Sequence, residues 1–244
     1  FLPSLDGENL SQQMVCRKNS IVAQKLADDM INYTGKNQLF RLGIALHVYA
    51  DTWAHQEFSG ITDAGNTLLG LECQPQPTVG WEWLKSKFSS VINVKPLGHA
   101  AALHYPDQPY LFWRSEQKFS DGRYNWKEFI EATKSICHIL QIVAGTDAKE
   151  LSSNQELMLQ DAFQNIRGEN CEERNKEWLR RIHMNYFDFD ELTVADQALE
   201  YNMGFILSDA DYPALFYKGI QEHYAWVETV LRENGIEIST FIDI

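Results

Sequence analysis

No run of apolar residues in this 244-residue chain reaches the roughly 18–20 needed to cross a bilayer, so no membrane span is expected. Positive charge is scarce: Lys and Arg total 21 against 34 Asp and Glu, a formal charge of −13. Such an acidic surface repels phosphate backbones and anionic lipid, which argues against non-specific nucleic-acid binding. A small-molecule substrate stays open, and a protein partner is not identified. Cysteine is sparse, and Cys16, Cys73, Cys137 and Cys171 form no CxxC pair. That spacing fits neither a zinc ribbon nor a dense disulfide framework and favours reduced thiols, hence a cytoplasmic setting. Sustained period-two alternation is lacking, so strands are not expected. There is no GxSxG, P-loop or GxGxxG, no His-Asp dipeptide of the HD-type phosphohydrolases, and no internal repeat. No initiator methionine or signal-peptide pattern opens the chain at Phe1, so a processed or longer parent is expected.

What remains is ordinary globular composition, 44% hydrophobic and 23% charged. Apolar spacings of three to five place a helix after Asn19 or Ser20, carrying Ile21, Val22, Leu26, Met30 and Ile31, and another from about Asn37 to Phe58. Residues 59–80, rich in Gly, Thr and Pro, read as a long loop. Short helices are expected at Trp81–Val91 and Leu97–Tyr105, the latter stopped by Pro106. Trp126, Phe129, Ile130, Thr133, Ile136, Cys137, Leu140 and Val143 mark an amphipathic helix over Asn125–Val143. Gln155–Ile166, Glu172–His183 and Phe216–Leu231 complete the set. The expected fold is a single all-α domain over 1–244, a multi-helix bundle around a buried central helix with long loops.

The chemistry concentrates in Arg41-Leu-Gly-Ile-Ala-Leu-His47-Val-Tyr-Ala-Asp51-Thr-Trp-Ala-His55-Gln-Glu-Phe-Ser-Gly60. At about 100° per residue, Asp51 lies about 40° and His55 about 80° from His47, so the three share a stripe with Phe40, Ile44, Ala54 and Phe58. That stripe is expected to face the core, with Ala45, Tyr49 and Thr52 on the far side. A buried carboxylate needs a cation, a strong donor or a metal. Imidazole and carboxylate at i, i+4 is a recurring metal-ligand geometry; an Asp–His pair fixing packing inside a bundle accounts for the spacing equally well. His47 and His55, about 12 Å apart along the axis, share one ion only at full stretch.

The second cluster is Leu97-Gly-His99-Ala-Ala-Ala-Leu-His104-Tyr-Pro106-Asp107-Gln-Pro109. If the Ala run is helical, His99 and His104 point about 140° apart and cannot serve one site. His104 and Asp107 flank the stop set by Pro106, where a turn can aim both inward, or His104 simply caps the helix end. Elsewhere, Asp188-Phe-Asp190-Glu191 lacks EF-hand spacing and reads as a solvated turn, as do Asp209 and Asp211. His138, His183 and His223 have no acidic partner at metal spacing and read as structural or exposed. Tryptophans such as Trp53, Trp81, Trp83 and Trp113 read as core anchors.

The two blocks together, GIALHVYADTWAHQEFSG and LGHAAALHYPDQPYLFW, resemble the signature of an uncharacterised bacterial domain-of-unknown-function family, which pairs an ALHTYAD…HQGFSG block with a GHYPD.P block. Relatives commonly carry glycine where this chain has Glu57. The resemblance also implies an N-terminal segment bearing further His and Asp residues, hence that residues upstream of Phe1 help complete the site. More distantly, His47-xxx-Asp51 followed by His55 is similar to the HxxxD helix of the zinc-dependent phospholipase C and trinuclear-zinc nuclease superfamily. That similarity implies an all-α phosphodiester hydrolase. The expectation is a divalent metal, zinc by preference, held by His47, Asp51 and His104, with His55 or Asp107 as general base for hydrolysis of a phosphoester. The competing expectation is a non-catalytic helical scaffold whose His–Asp pairs only fix packing.

Overall fold

A computed structural model describes residues 2–75, 97–168, 171–188 and 211–236. Among the described residues the protein is mainly helical, with one small sheet. The expected helix at 81–91, Trp81, Trp83, Asp190, Glu191 and Asp209 lie outside the described residues. The chain divides into two compact units, 1–61 with 135–149 and 201–244, and 62–134 with 150–200.

In the first unit, α1 (Leu10–Gln13) is a single turn, and α2 (Ile21–Asn32) starts where the Ser20 hydroxyl accepts the Ala23 N–H at 3.1 Å. Helix α2 buries Val22, Ala23, Leu26 and Met30, one stripe of the predicted helix. Helix α3 (Gln38–Ala54) packs against α2 and against α7 (Asp211–Glu233). Gly219 of α7 faces α3 at this crossing: a Cβ there would meet the end of the Ile44 side chain at 3.2 Å and make ordinary contact with the Arg41 N and the Phe40 carbonyl carbon at 3.4 and 3.6 Å.

The orientation of α3 corrects the helical-wheel expectation. Its buried residues are Arg41, Leu42, Ala45, Tyr49, Thr52, Trp53 and Ala54, and the His47 side chain is 79% exposed. The helix is apolar nearly all round, so apolarity alone does not choose a face. The cost of burying an imidazole and a carboxylate does. The face that turned inward carries one charge, Arg41, which meets the Asp29 carboxylate and lies over the Tyr33 ring at 5.5 Å. Thr52 satisfies its buried hydroxyl by donating to the Tyr49 carbonyl at 2.7 Å. The helix also ends at Ala54, four residues short of the expected Phe58, with His55 as its C-cap.

In the second unit, β1 (Glu72–Gln74), β2 (Phe112–Arg114) and β3 (Arg123–Tyr124) form an antiparallel sheet with β2 in the centre. Register pairs Cys73 with Trp113 and Trp113 with Arg123, all three buried. The sheet overturns the expectation of no strands: segments of two or three residues are too short to display a period of two. Helix α4 (Asn125–Val143) has the predicted bounds and contributes to both units. Helix α5 (Ser153–Asn165) opens with a capping box between Ser152 and Gln155, and α6 (Cys171–His183) follows. Phe163 and Trp178, at 5.4 Å, and Trp178 and Phe187, at 5.8 Å, join α5 and α6 around Ala162 and Ile166. All four cysteines are free thiols. Among the described residues no helix is long and apolar enough to cross a membrane.

Candidate metal centre

The first half of the candidate residues belongs to the first unit, at the C-terminal end of α3. The His55 N–H donates to the Asp51 carbonyl at 2.9 Å, and the chain then turns through Glu57 to Ser59. That turn is stitched to the N-terminal segment: the Glu57 N–H donates to the Cys16 carbonyl at 3.0 Å and the Cys16 N–H to the Phe58 carbonyl at 2.8 Å. Phe58, fully buried, anchors it. Glu57 adopts φ +68°, the left-handed region where glycine is at ease.

Within this half, Asp51 stands between two imidazoles. Its Oδ2 is 3.9 Å from His47 Nε2, and its Oδ1 is 3.7 Å from His55 Nδ1. The sequence treats the two histidines as equals; burial separates them, with the His55 side chain 6% exposed against 79% for His47. These gaps exceed hydrogen-bond length, and are a few tenths of an ångström wider than the roughly 3–3.5 Å between two donors on one zinc ion.

The second half of the candidate residues belongs to the second unit and stands on a compact run of turns. Ala100–Ala102 is one turn of 3₁₀ helix with His99 at its N-cap. It is bracketed by Gly98 at φ +55° and Leu103 at φ +56°, and the run carries on through the buried Tyr105 and Pro106. The expected helix over 97–105 is therefore absent, and so is the 140° divergence of its histidines. His99 Nε2 and His104 Nδ1 each lie 3.9 Å from Asp107 Oδ2. The reason is local. The run is too short to repay helix nucleation before Pro106, and the reversal at Leu103 swings the following residues back.

That reversal aims the Leu103 carbonyl at His99 Nδ1, 2.6 Å away. A carbonyl only accepts, so Nδ1 carries the hydrogen, and a neutral ring then presents the Nε2 lone pair on the Asp107 side. Fixing the tautomer of an imidazole by a carbonyl behind it is the usual outer arrangement of a metal-ligating histidine. His99 is thus the functional candidate that the sequence reading passed over; Gly98 before it and a short Ala run before Pro106 are the signals of a turn. His104, expected as a ligand, is 73% exposed against 23% for His99.

Asn125, at the start of α4, holds this half in place. It is fully buried; its Nδ2 donates to the Gln108 carbonyl at 2.9 Å and to the Tyr105 carbonyl, and its Oδ1 accepts the Trp113 indole N–H at 3.0 Å. Its own N–H donates to the Leu111 carbonyl at 3.0 Å, so one amide residue ties the Asp107 turn to the sheet. Beyond the turn, burial pushes the Tyr110 phenol up against the opposing pull of Arg174 and Arg167. It stays a neutral donor, to Gln108 Oε1 at 3.0 Å.

The model of the family of unknown function DUF6765 matches residues 1–231, a span that includes both histidine-bearing blocks. The chain belongs to that family. No curated protein and no solved structure matches the chain.

Proposed function

We propose that this member of DUF6765 holds a divalent metal through His99 and Asp107 and uses it to hydrolyse a phosphoester. An imidazole nitrogen and a carboxylate oxygen on one run of turns are ligands of the kinds that hold such an ion. Two protein ligands leave positions open for water and substrate, as catalysis needs. This revises the expected set: the His47 side chain is 79% exposed, and His99, 23% exposed, is the sheltered neighbour of Asp107 where His104 is 73% exposed.

The observation that carries the reading is the one at His99. With Nδ1 committed as a donor to the Leu103 carbonyl, a nitrogen lone pair and a carboxylate oxygen stand 3.9 Å apart, a spacing no proton between them spans as a hydrogen bond. A cation is attracted by both. When bound, a divalent ion lowers the pKa of a coordinated water toward neutrality and stabilises charge developing on substrate oxygens. In this scheme Asp107 and His99 bind, Leu103 fixes the His99 tautomer, and the exposed His104, beside Asp107, receives the proton. The phosphoester class rests on the likeness of the α3 block to the zinc-dependent phospholipase C superfamily.

The test is turnover of bis(p-nitrophenyl) phosphate by the purified chain with zinc or manganese, with and without EDTA. The expected result is chelator-sensitive release of p-nitrophenolate that falls at least ~100-fold in His99→Ala and Asp107→Asn. A chain that binds no metal, and whose stability zinc leaves unchanged, is instead the non-catalytic scaffold.

A further inference from the structure

Away from the candidate centre, a group of polar side chains gathers, partly buried, where α2, α3 and α7 meet. The Tyr33 hydroxyl donates to Glu222 Oε2 at 2.7 Å, and Asn37 Nδ2 donates to the same oxygen at 2.9 Å. Beside them Arg41 of α3, 3% exposed, pairs with Asp29 of α2. His223 of α7, 8% exposed, lies within the electrostatic reach of both members of this pair, with its ring stacked on Trp226 at 6.1 Å between centroids. Its Nδ1 and the Arg41 Nε are both buried without a hydrogen-bond partner among the described residues.

We propose that His223 is an acid-sensitive latch: neutral, it seats α7 on α3, and on protonation it releases α7 from that seat. The physical reason is crowding of like charge between two groups that are each nearly enclosed, Arg41 at 3% and His223 at 8% exposure. A proton on His223 puts a second cation beside the Arg41 guanidinium, on a ring with no acceptor at Nδ1. The charged groups facing the imidazole are Arg41 from α3, which opposes its protonation, and Asp29 from α2, which favours it. Asp29 is already engaged by Arg41. On its own helix, Glu222 turns to Tyr33 and Asn37, and Lys218 turns to Glu222 at 3.7 Å. Burial is the largest influence and, with Arg41, pushes the His223 pKa down from its ordinary value.

The sign follows. A released imidazole takes its proton near pH 6.5, a docked one only at lower pH, so α7 is fully seated above about 6.5 and loosens as pH falls below it. In the interval between the two values, each pH unit shifts the docked-to-released ratio by up to about tenfold. The helix that loosens packs through Gly219 against Phe40, Arg41 and Ile44, in the first half of α3.

Amide hydrogen exchange of the full chain from pH 7.5 to 5.0, corrected for intrinsic chemistry, tests this. Protection over 214–230 is expected to fall by up to about tenfold per pH unit below 6.5, while protection in α5 holds. His223→Gln, which cannot take the proton, is expected to abolish the pH dependence. The side-chain NMR titration of His223 in the unaltered protein decides the matter if that variant does not fold. A midpoint below 6.5 that coincides with loss of α7 protection supports the latch. A midpoint at or above 6.5, α7 protection indifferent to pH, or an unchanged acid response in His223→Gln would overturn it.

Discussion

Asp51 and His55 stand at the end of a 17-residue helix, whereas His99, His104 and Asp107 stand on turns whose longest regular element is three residues. The helical half is held by apolar burial: Trp53, two residues from Asp51, is 1% exposed, and Phe58 beyond His55 is fully enclosed. The turn half is held by directed hydrogen bonds, those of Asn125 and the Leu103 carbonyl. Hydrophobic contact is tolerant of small shifts and fixes a side chain loosely. Hydrogen bonds fix direction. The half whose ligand orientation is chemically specified, at His99, is therefore the irregular one.

The largest expected effect breaks the helical half. Trp53→Ala removes a fully packed indole and is expected to cost about 3–5 kcal/mol in urea unfolding. Asn125→Ala breaks the turn half by leaving the Tyr105 and Gln108 carbonyls and the Trp113 indole N–H without their partner. The expected cost is about 2–4 kcal/mol. Asn125→Asp sharpens the point: it keeps the acceptor for Trp113 but loses both donors, so its midpoint is expected to stay well below that of the unaltered chain. A turn half held by packing alone would respond to neither Asn125 change.

Smaller effects separate strain from site. Glu57→Gly relieves a left-handed backbone position and gives up an exposed pairing with Arg17 at 3.8 Å. The expected change in unfolding free energy is a gain of about 0.5–1 kcal/mol, with metal affinity unchanged. The smallest effect concerns pH in the second unit. Hydrogen bonds from Tyr186 and then Arg181 hold the Asp161 carboxyl below its usual range. A depressed carboxylate stabilises the fold above the unfolded value near 4, and that contribution disappears as pH falls through the folded value. Asp161 is 44% exposed, so solvent screening keeps the contribution under about 1 kcal/mol. Urea midpoints from pH 5 to pH 2 are expected to fall less steeply in Asp161→Asn than in the unaltered chain.

Much of the helical frame is legible in the residues. The bounds of α4 follow from its periodicity, and Ser20 and the Ser152/Gln155 box carry the caps of α2 and α5. The facing of α3 is not legible from apolarity, because the helix is apolar on nearly every side; the signal lies in the cost of burying His47 and Asp51. The sheet escapes notice because no strand exceeds three residues. Both chemical blocks stand out by composition, but choosing between His99 and His104 needs the φ of Leu103, which no side-chain pattern encodes. Asn125 looks like any helix-opening asparagine; its hold on the Asp107 turn is a long-range fact.

Calorimetric titration of zinc into the chelator-treated full chain, followed by elemental analysis, tests the central claim most directly. The account predicts saturable binding of about one equivalent, which persists in His47→Ala and is lost in His99→Ala while the circular dichroism spectrum is retained. Absence of saturable binding by the unaltered chain, or full zinc occupancy in His99→Ala, would contradict it.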